Sequence, residues 1–436
     1  MPSPTSSAGT GGSAEEDPFG SAPLRRANFF AWVFYQSFYR IGWQFKMEAT
    51  MMAGLVSYLA PSPTVMGMFT ALNGAGRNLA PLFAAPIVDR FRSKRNALLL
   101  FWVATVAIWA LLTVYLWTPS AMNPHVALWV FGVCYTLFFV FLGAVTVAQG
   151  AVLGKIIPAD MRGKSLAMGM SLSGLVNVGG VLLIYRLVQH GGFPEPKNYA
   201  LSFTCTTVLF LMAGVALLWV KEPDTNSPVR RHSLAGSLRY FVALARGNQD
   251  LARLMAVNAA VNVLGGMLQF YTGYWRTHGT MTPGALVMAT VFQVFWQSLS
   301  SSILGGMADR RGNRVLICVL LWMEAAVPLT AWVLGGWEPF RSNWFWFLGV
   351  YTLIGLRFPL YQFLTNYLLE IVEQKDHAMA LGAVNTVGLL TVPIPLILGE
   401  LARHFGYPVI FVLGAVIGLF GAATARGLRE VRVGVA

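Results

Sequence analysis

Charged and amide side chains recur at helical intervals inside long apolar runs, and that pattern suggests a binding surface buried in a membrane. Arg40, Gln44 and Glu48 are four residues apart, which places them on one face of a helix with Trp43 beside them. Arg77 is the lone charge of the next apolar run, and Asn73 precedes it by one turn. Later runs carry Asn258 and Asn262, then Gln293 and Gln297, then Arg357 followed by Tyr361. An ionisable group at the bilayer centre costs at least about 2.5–3.5 kcal/mol on insertion scales, so each of these needs a reason. Arginine stays charged in a dry site and grips carboxylate or phosphate with a planar fork. Arg40, Arg77 and Arg357 therefore predict a positive cavity for an anionic or strongly polar solute. Trp43, Gln44, Asn73, Asn258, Asn262, Gln293, Gln297 and Tyr361 complete its predicted lining. Glu48 is the first candidate for a coupling proton and Glu324 the second, because burial and a nearby arginine pull on a carboxyl proton in opposite senses. The competing reading is structural, with Arg40 or Arg77 paired to Glu48 as a helix fastener. Lys46 falls off the stripe and is expected to snorkel or to pair with another helix.

The elements that must hold these residues follow from composition. Of 436 residues 56% are hydrophobic and only 11% charged, against about 25% charged in a soluble domain. Mean hydropathy is +0.59, so an ordinary soluble enzyme and a disordered chain are excluded. The net charge of +13 would suit nucleic acid, but the bases sit between apolar runs and no nucleic-acid partner is expected. About 20 helical residues cross a bilayer core. Breaks at Pro, Gly and charge clusters give twelve spans: 28–58, 63–88, 96–118, 125–153, 163–188, 199–220, 251–275, 284–308, 314–336, 343–371, 377–402 and 407–427. The fold class expected is all-α integral membrane. Residues 1–26 read as a polar N-terminal tail, 27–221 as a first six-helix bundle, 222–250 as a linker with an amphipathic stretch near 238–244, 251–428 as a second bundle and 429–436 as a C-terminal tail. With both termini cytoplasmic, most loop bases fall inside, leaving Arg186, Lys197, Arg276, Arg341 and Arg403 outside. The Ala/Gly/Arg-rich composition suggests a bacterial inner membrane.

The halves repeat. Asp89 and Asp309 each follow a proline, Pro63 and Pro283, by 26 residues. The stretch from Gly305 to Arg314, with Asp309, Arg310 and Gly312, matches G-x-x-x-D-R-x-G-x-R and resembles the loop signature of the major facilitator superfamily. The first copy is degenerate, with Ala85 and Arg92 where the glycines would stand. Pro158-x-x-x-Arg162-Gly163 is similar to another loop motif of that family. The resemblance covers residues 27–428 and implies two six-helix bundles that rock about a midplane site. It also implies gating roles for Asp89, Arg90, Arg162, Gly305, Asp309, Arg310, Gly312 and Arg314 at the inner face, in contacts made only while that side is shut.

The resemblance thus implies a secondary transporter and is silent on the substrate; the intramembrane arginines suggest a small polar, anionic organic solute, with a proton as the expected coupling ion, carried by a monomer among membrane lipids and without a cofactor. No nucleophile–base set points to an enzyme. Cys134, Cys205 and Cys318 are far apart in apolar stretches and read as small buried hydrophobes. Gly163-Lys164-Ser165 is no phosphate loop, because Pro158 stands where its first glycine belongs. Helix 5 lacks the G-P-x-x-G-G pattern of drug/proton antiporters. The alternatives of another class are a non-transporting membrane assembly or sensor protein of the same fold, and a lipid flippase.

Overall fold

The computed structural model describes residues 21–190, 192–223, 247–339, 343–372 and 388–430, together with Phe19 and Val384. Regular structure among them is helical throughout. The helices are α1 (Ala22–Phe45), α2 (Ala53–Leu59), α3 (Pro63–Arg90), α4 (Lys94–Trp117), α5 (Pro124–Ile156), α6 (Ala159–His190) and α7 (Lys197–Leu218). After the linker come α8 (Gln249–Gly266), α9 (Leu268–His278), α10 (Pro283–Arg311), α11 (Asn313–Gly335), α12 (Leu348–Leu356), α13 (Leu360–Ile371), α14 (Ile394–Phe405) and α15 (Tyr407–Arg426).

Eight segments among the described residues are long and apolar enough to cross a bilayer: α4, α5, α7, the α8–α9 pair, Pro283–Gly305, α11, Trp344–Ile371 and α15. Large apolar side chains cover the outside, with Phe83, Trp129 and Leu390 at 72%, 77% and 76% exposure. Hydrocarbon is the solvent such a surface fits. The chain is an integral membrane protein. The predicted spans 28–58, 63–88 and 163–188 coincide with α1 to α2, α3 and α6, which are not among the eight. Residues 377–383 and 385–387 of the span 377–402, and the amphipathic stretch 238–244, lie outside the described residues.

Three expected spans are broken rather than straight. The first begins at Ala22, earlier than the predicted tail allows, because Pro23 occupies the first turn, where its missing N–H costs nothing. It then stops at Phe45, and a π turn (Glu48–Met52) leads into α2. The seventh breaks at Met267, between α8 and α9. The tenth breaks at Arg357–Pro359, between α12 and α13, where Pro359 removes a backbone donor.

Helix ends gather on two faces. On one, Asn28 and Lys221 exchange hydrogen bonds: the Asn28 amide donates to the Lys221 carbonyl (2.7 Å), and the Lys221 N–H returns to Asn28 (2.8 Å). Glu222 beside them accepts from Lys155 Nζ (2.7 Å), Ser93 Oγ (2.9 Å) and the Arg95 N–H (3.0 Å), tying α4, α5 and the end of α7 together. In the second half the corresponding end is closed by the Arg429 N–H on Asp250 (3.1 Å) and by Tyr367 on the Arg429 carbonyl (2.8 Å). This side bears the basic loops and is called the basic face below. On the opposite face α3 and α14 cross so closely that backbones touch. A Cβ on Gly67 would stand 2.2 Å from the Pro395 carbonyl oxygen, and one on Gly399 would stand 2.6 Å from that of Pro63, so glycine is required at both.

Burial alone would raise the Glu222 carboxyl pKa, but hydrogen bonds from Lys155, Arg95 and Ser93 outweigh it and hold it below the ordinary value of 4.5. A depressed carboxylate stabilises the fold above its unfolded pKa and loses that contribution as pH falls. Glu222→Gln should therefore lower the melting temperature by a constant amount at pH 6–8, with the gap to wild type closing below about pH 4.5. Melting curves of the detergent-purified pair across pH check this.

Candidate functional site

The break in the first span reorganises the predicted stripe. Since α1 ends at Phe45, Glu48 does not continue the face of Arg40 and Gln44. It turns back to meet Lys46, with Nζ 2.8 Å from Glu48 Oε1, and Trp43, whose indole N–H donates to Oε2 at 3.1 Å. The expectation that Lys46 points away is corrected here. Lys46 is fully buried, with Nζ 3.3 Å above the Trp43 ring and 4.9, 5.3 and 5.4 Å from the centroids of Phe138, Phe139 and Trp109. The reason is local: losing the helical register at Phe45 swings residue 46 into the aromatic wall of α4 and α5, where only a carboxylate can neutralise it.

Arg77 of α3 stands on the other flank of the same indole, 5.8 Å from its centroid. It is exposed and has no ion pair among the described residues, so neither proposed fastener, Arg40–Glu48 or Arg77–Glu48, forms. Arg40 is half-buried, and its Nε has no hydrogen-bond partner. Asn73 donates to the Tyr135 hydroxyl (3.3 Å), which Gln269 of α9 also reaches (3.5 Å), so this hydroxyl joins α3, α5 and α9. The amide oxygens of Gln44, Gln293 and Gln297 are buried and unpartnered.

Arg357 departs from expectation. It is 3% exposed, and its Nε lies 2.9 Å from Glu324 Oε2, itself 3% exposed. The break before Pro359 turns the guanidinium toward α11, so Arg357 and Glu324 form a buried pair and Arg357 is no free cation. Tyr35, Tyr271 and Tyr274 are core residues.

A cavity of about 150 Å³ reaches Leu254 and Leu368, near the basic-face ends of α8 and α13, and is lined among others by Asn78, Asn258, Asn262, Tyr361, Thr365 and Gly388. It gathers three of the predicted residues: Asn258, Asn262 and Tyr361. Asn78 and Thr365 were missed, although Thr365 follows Tyr361 by one helical turn and Asn78 is the neighbour of Arg77. The cavity is smaller than the roughly 300–1,000 Å³ of drug-sized pockets, and its lining offers amides and hydroxyls.

The opposite face is shut. The Thr50 and Thr290 hydroxyls are 2.6 Å apart, and Thr272 bonds both the Ala49 carbonyl and the Tyr351 hydroxyl, the latter at 2.5 Å. Farther out, Arg276 of α9 holds Glu195 with two parallel bonds of 2.9 and 2.6 Å and reaches the Gly54 carbonyl at 3.3 Å. Apart from the Thr272–Tyr351 bond, which lies within the second half, each of these contacts joins the first half of the chain to the second.

Of the signature residues, Gly312 has φ +80° and separates α10 from α11, which explains its glycine. A Cβ on Gly305 would meet nothing within 4 Å. Arg162 bonds the Ile157 and Gly154 carbonyls at the end of α5, and Arg314 bonds the Arg426 carbonyl. Both arginines thus stay within their own half. Arg90 is exposed. The side chains of Asp89, Asp309 and Arg310 lie outside the described residues.

Solved structures share this arrangement. A D-xylose–proton symporter superposes with TM-score 0.67 at 14% identity, covering 94% of this chain and 99% of its own. A POT family transporter in complex with a thioalcohol-conjugated peptide gives 0.67 at 13%, covering 92% and 96%. A nucleoside transporter gives 0.61 at 11%, covering 93% and 100%. The chain has a secondary-transporter fold. No protein-family model and no curated protein matches the sequence, so the likeness is one of fold. No group of three or more His, Cys, Asp or Glu among the described residues could hold a metal.

Removing one member of a buried ion pair costs about 3–5 kcal/mol, whereas replacing both with apolar residues is often neutral. Arg357→Met should therefore lower the melting temperature sharply, and Arg357→Met combined with Glu324→Met should recover most of the loss. Differential scanning measurements on the three variants check this.

Proposed function

We propose that the protein is a secondary transporter that carries a small polar, anionic organic solute by alternating access, coupled to protons. The observation that carries this reading is Arg77: a membrane-embedded guanidinium that is exposed, lacks an ion pair among the described residues, and flanks the Trp43 ring. Membrane-embedded charges mark solute or ion pathways by default, and an unpaired arginine is suited to a carboxylate or phosphate. Arg40 adds a second guanidinium. The amides of Gln44, Gln293 and Gln297, with the cavity residues Asn258, Asn262 and Tyr361, offer hydrogen bonds for the rest of the solute. Asn73 and Trp43 shape the wall, and Glu48 is the coupling carboxylate. Glu324, already committed to Arg357, is the weaker proton carrier.

This reading carries twelve spans in two six-helix halves, 27–221 and 251–428, joined by the linker 222–250. It places the basic face in the cytosol of a bacterium, with both termini there, and the protein in the inner membrane as a monomer. The shut opposite face and the cavity toward the basic face then correspond to an inward-facing state. In that state the signature residues are apart, in keeping with Arg162 and Arg314 bonding only within their own halves.

A ligand at about 100 times its dissociation constant stabilises a protein by about 2.7 kcal/mol. Small carboxylates or organic phosphates should raise the melting temperature of the wild type and leave Arg77→Ala unmoved. A shift by neutral sugars that survives Arg77→Ala would replace the anion with an uncharged solute bound by the cavity amides. No shift across anions, sugars, amino acids and cations would favour the non-transporting reading.

A further inference from the structure

The Lys46–Glu48 pair sits at the root of the opposite-face seal. Glu48 is the first residue of the π turn, and the next two residues make the seal: the Ala49 carbonyl accepts from Thr272, and the Thr50 hydroxyl meets Thr290 at 2.6 Å. Ala49, Thr50, Met51 and Met52 are buried, so Glu48 is the residue of the turn that reaches water. The turn starts just after α1 has ended, and its first backbone bonds run to Met47, from the Thr50 N–H (3.3 Å) and the Met52 N–H (3.1 Å). Glu48 is instead pinned by side chains, Lys46 Nζ on one oxygen (2.8 Å) and Trp43 Nε1 on the other (3.1 Å). Single π turns inside helices cluster at functional sites, and this one joins a charge pair to the interface between the halves.

From these contacts we propose that the Lys46–Glu48–Trp43 knot is the latch of the opposite-face seal, and that a proton on Glu48 releases it. The role of the latch in transport rests on the transporter reading above; its mechanics do not. With Glu48 ionised, the carboxylate is drawn onto Lys46 and Trp43, and Ala49 and Thr50 are presented to Thr272 and Thr290. A proton taken from water onto Glu48 converts the carboxylate to a carboxylic acid. The Lys46 ammonium loses its counter-charge, and the knot passes from neutral to a single positive charge. The attraction that fixes the turn is then gone. Lys46 acts as a positioning residue, setting where Glu48 rests when ionised.

The other groups around the pair favour this assignment. From α1 come Lys46 and Tyr39, from α3 Arg77, and from α5 Tyr135. From α9 and α10 come Gln269, Thr272, Thr290 and Gln293, none of which titrates in the accessible range. Among the described residues, Glu48 is thus the one carboxylate of the cluster. Its 18% exposure lets water reach it, while Lys46 at 0% is sealed off.

The test reads the seal directly and needs no solute. Leu286 of α10 is buried against Gly54. Leu286→Cys is placed in the full chain with Cys134, Cys205 and Cys318 changed to alanine, reconstituted in proteoliposomes and exposed to a membrane-impermeant maleimide from the opposite face. After correction for the pH dependence of the thiol itself, measured on an exposed reference cysteine, labelling should speed up about tenfold as Glu48 is protonated. Glu48→Gln should be fast at every pH. Lys46→Met should be fast as well, and Lys46→Arg should restore the parental profile. A flat corrected profile in the parent would overturn the latch without any variant at the knot. Equal rates in Glu48→Gln, Lys46→Met and the parent would overturn it too. Failure of the transporter reading looks different: labelling that follows pH in a protein that moves none of the anions leaves the latch standing and removes its role in transport.

Discussion

A charge held in hydrocarbon must be neutralised where it stands or kept in contact with water, and much of this architecture follows from that requirement. Lys46 and Arg357 take the first course, each with one carboxylate and both nearly free of solvent. Arg77 takes the second. Desolvating a pair is expensive, and its Coulomb attraction repays the cost only with good geometry. Both neutralised cations lie at helix breaks, where the backbone can turn a side chain off the regular helical direction and onto its partner. A straight helix would leave Lys46 and Glu48, two residues apart, on different faces.

The breaks also have a place in the repeat. The first-half break is at Met47 and the second-half break at Met267, separated by the same interval as Asp89 and Asp309. The two interruptions meet, since Thr272 of α9 bonds Ala49 of the π turn. The residues beside the two bends differ. The first half puts a lysine–glutamate pair beside it, and the second offers amides and hydroxyls from Gln269 and Thr272. Arg77 likewise has Gln297 at its matched position, so the cationic side of the centre belongs to the first half.

How much of this could be read in the sequence depends on the range of the interaction. The apolar runs and their polar interruptions were legible, because bilayer thickness imposes a length on every span and prolines or charge clusters mark the ends. The pair Asn258 and Asn262 shares the cavity as its four-residue spacing suggests, because the helix there is regular. The same rule misled at Glu48, since nothing in Lys46-Met47-Glu48 announces a break as Pro359 does, and a stripe drawn across it assigns wrong faces. The partner of Arg357 was beyond reach for another reason. Glu324 lies on a separate helix, and which residue of α11 faces which residue of the preceding bend is settled by packing, not by local pattern.

The glycine contacts of the opposite face carry an energetic consequence of their own. Where Gly67 meets Pro395 and Gly399 meets Pro63, main chain lies against main chain. Long side chains surrender up to about 2 kcal/mol of rotamer freedom each when locked into an interface, and glycine surrenders none. A closure made this way is dry and tight, yet it freezes almost nothing on forming and frees almost nothing on parting. On the transporter reading proposed above, shut and open forms of this contact lie close in free energy, so that one proton or one bound solute decides between them.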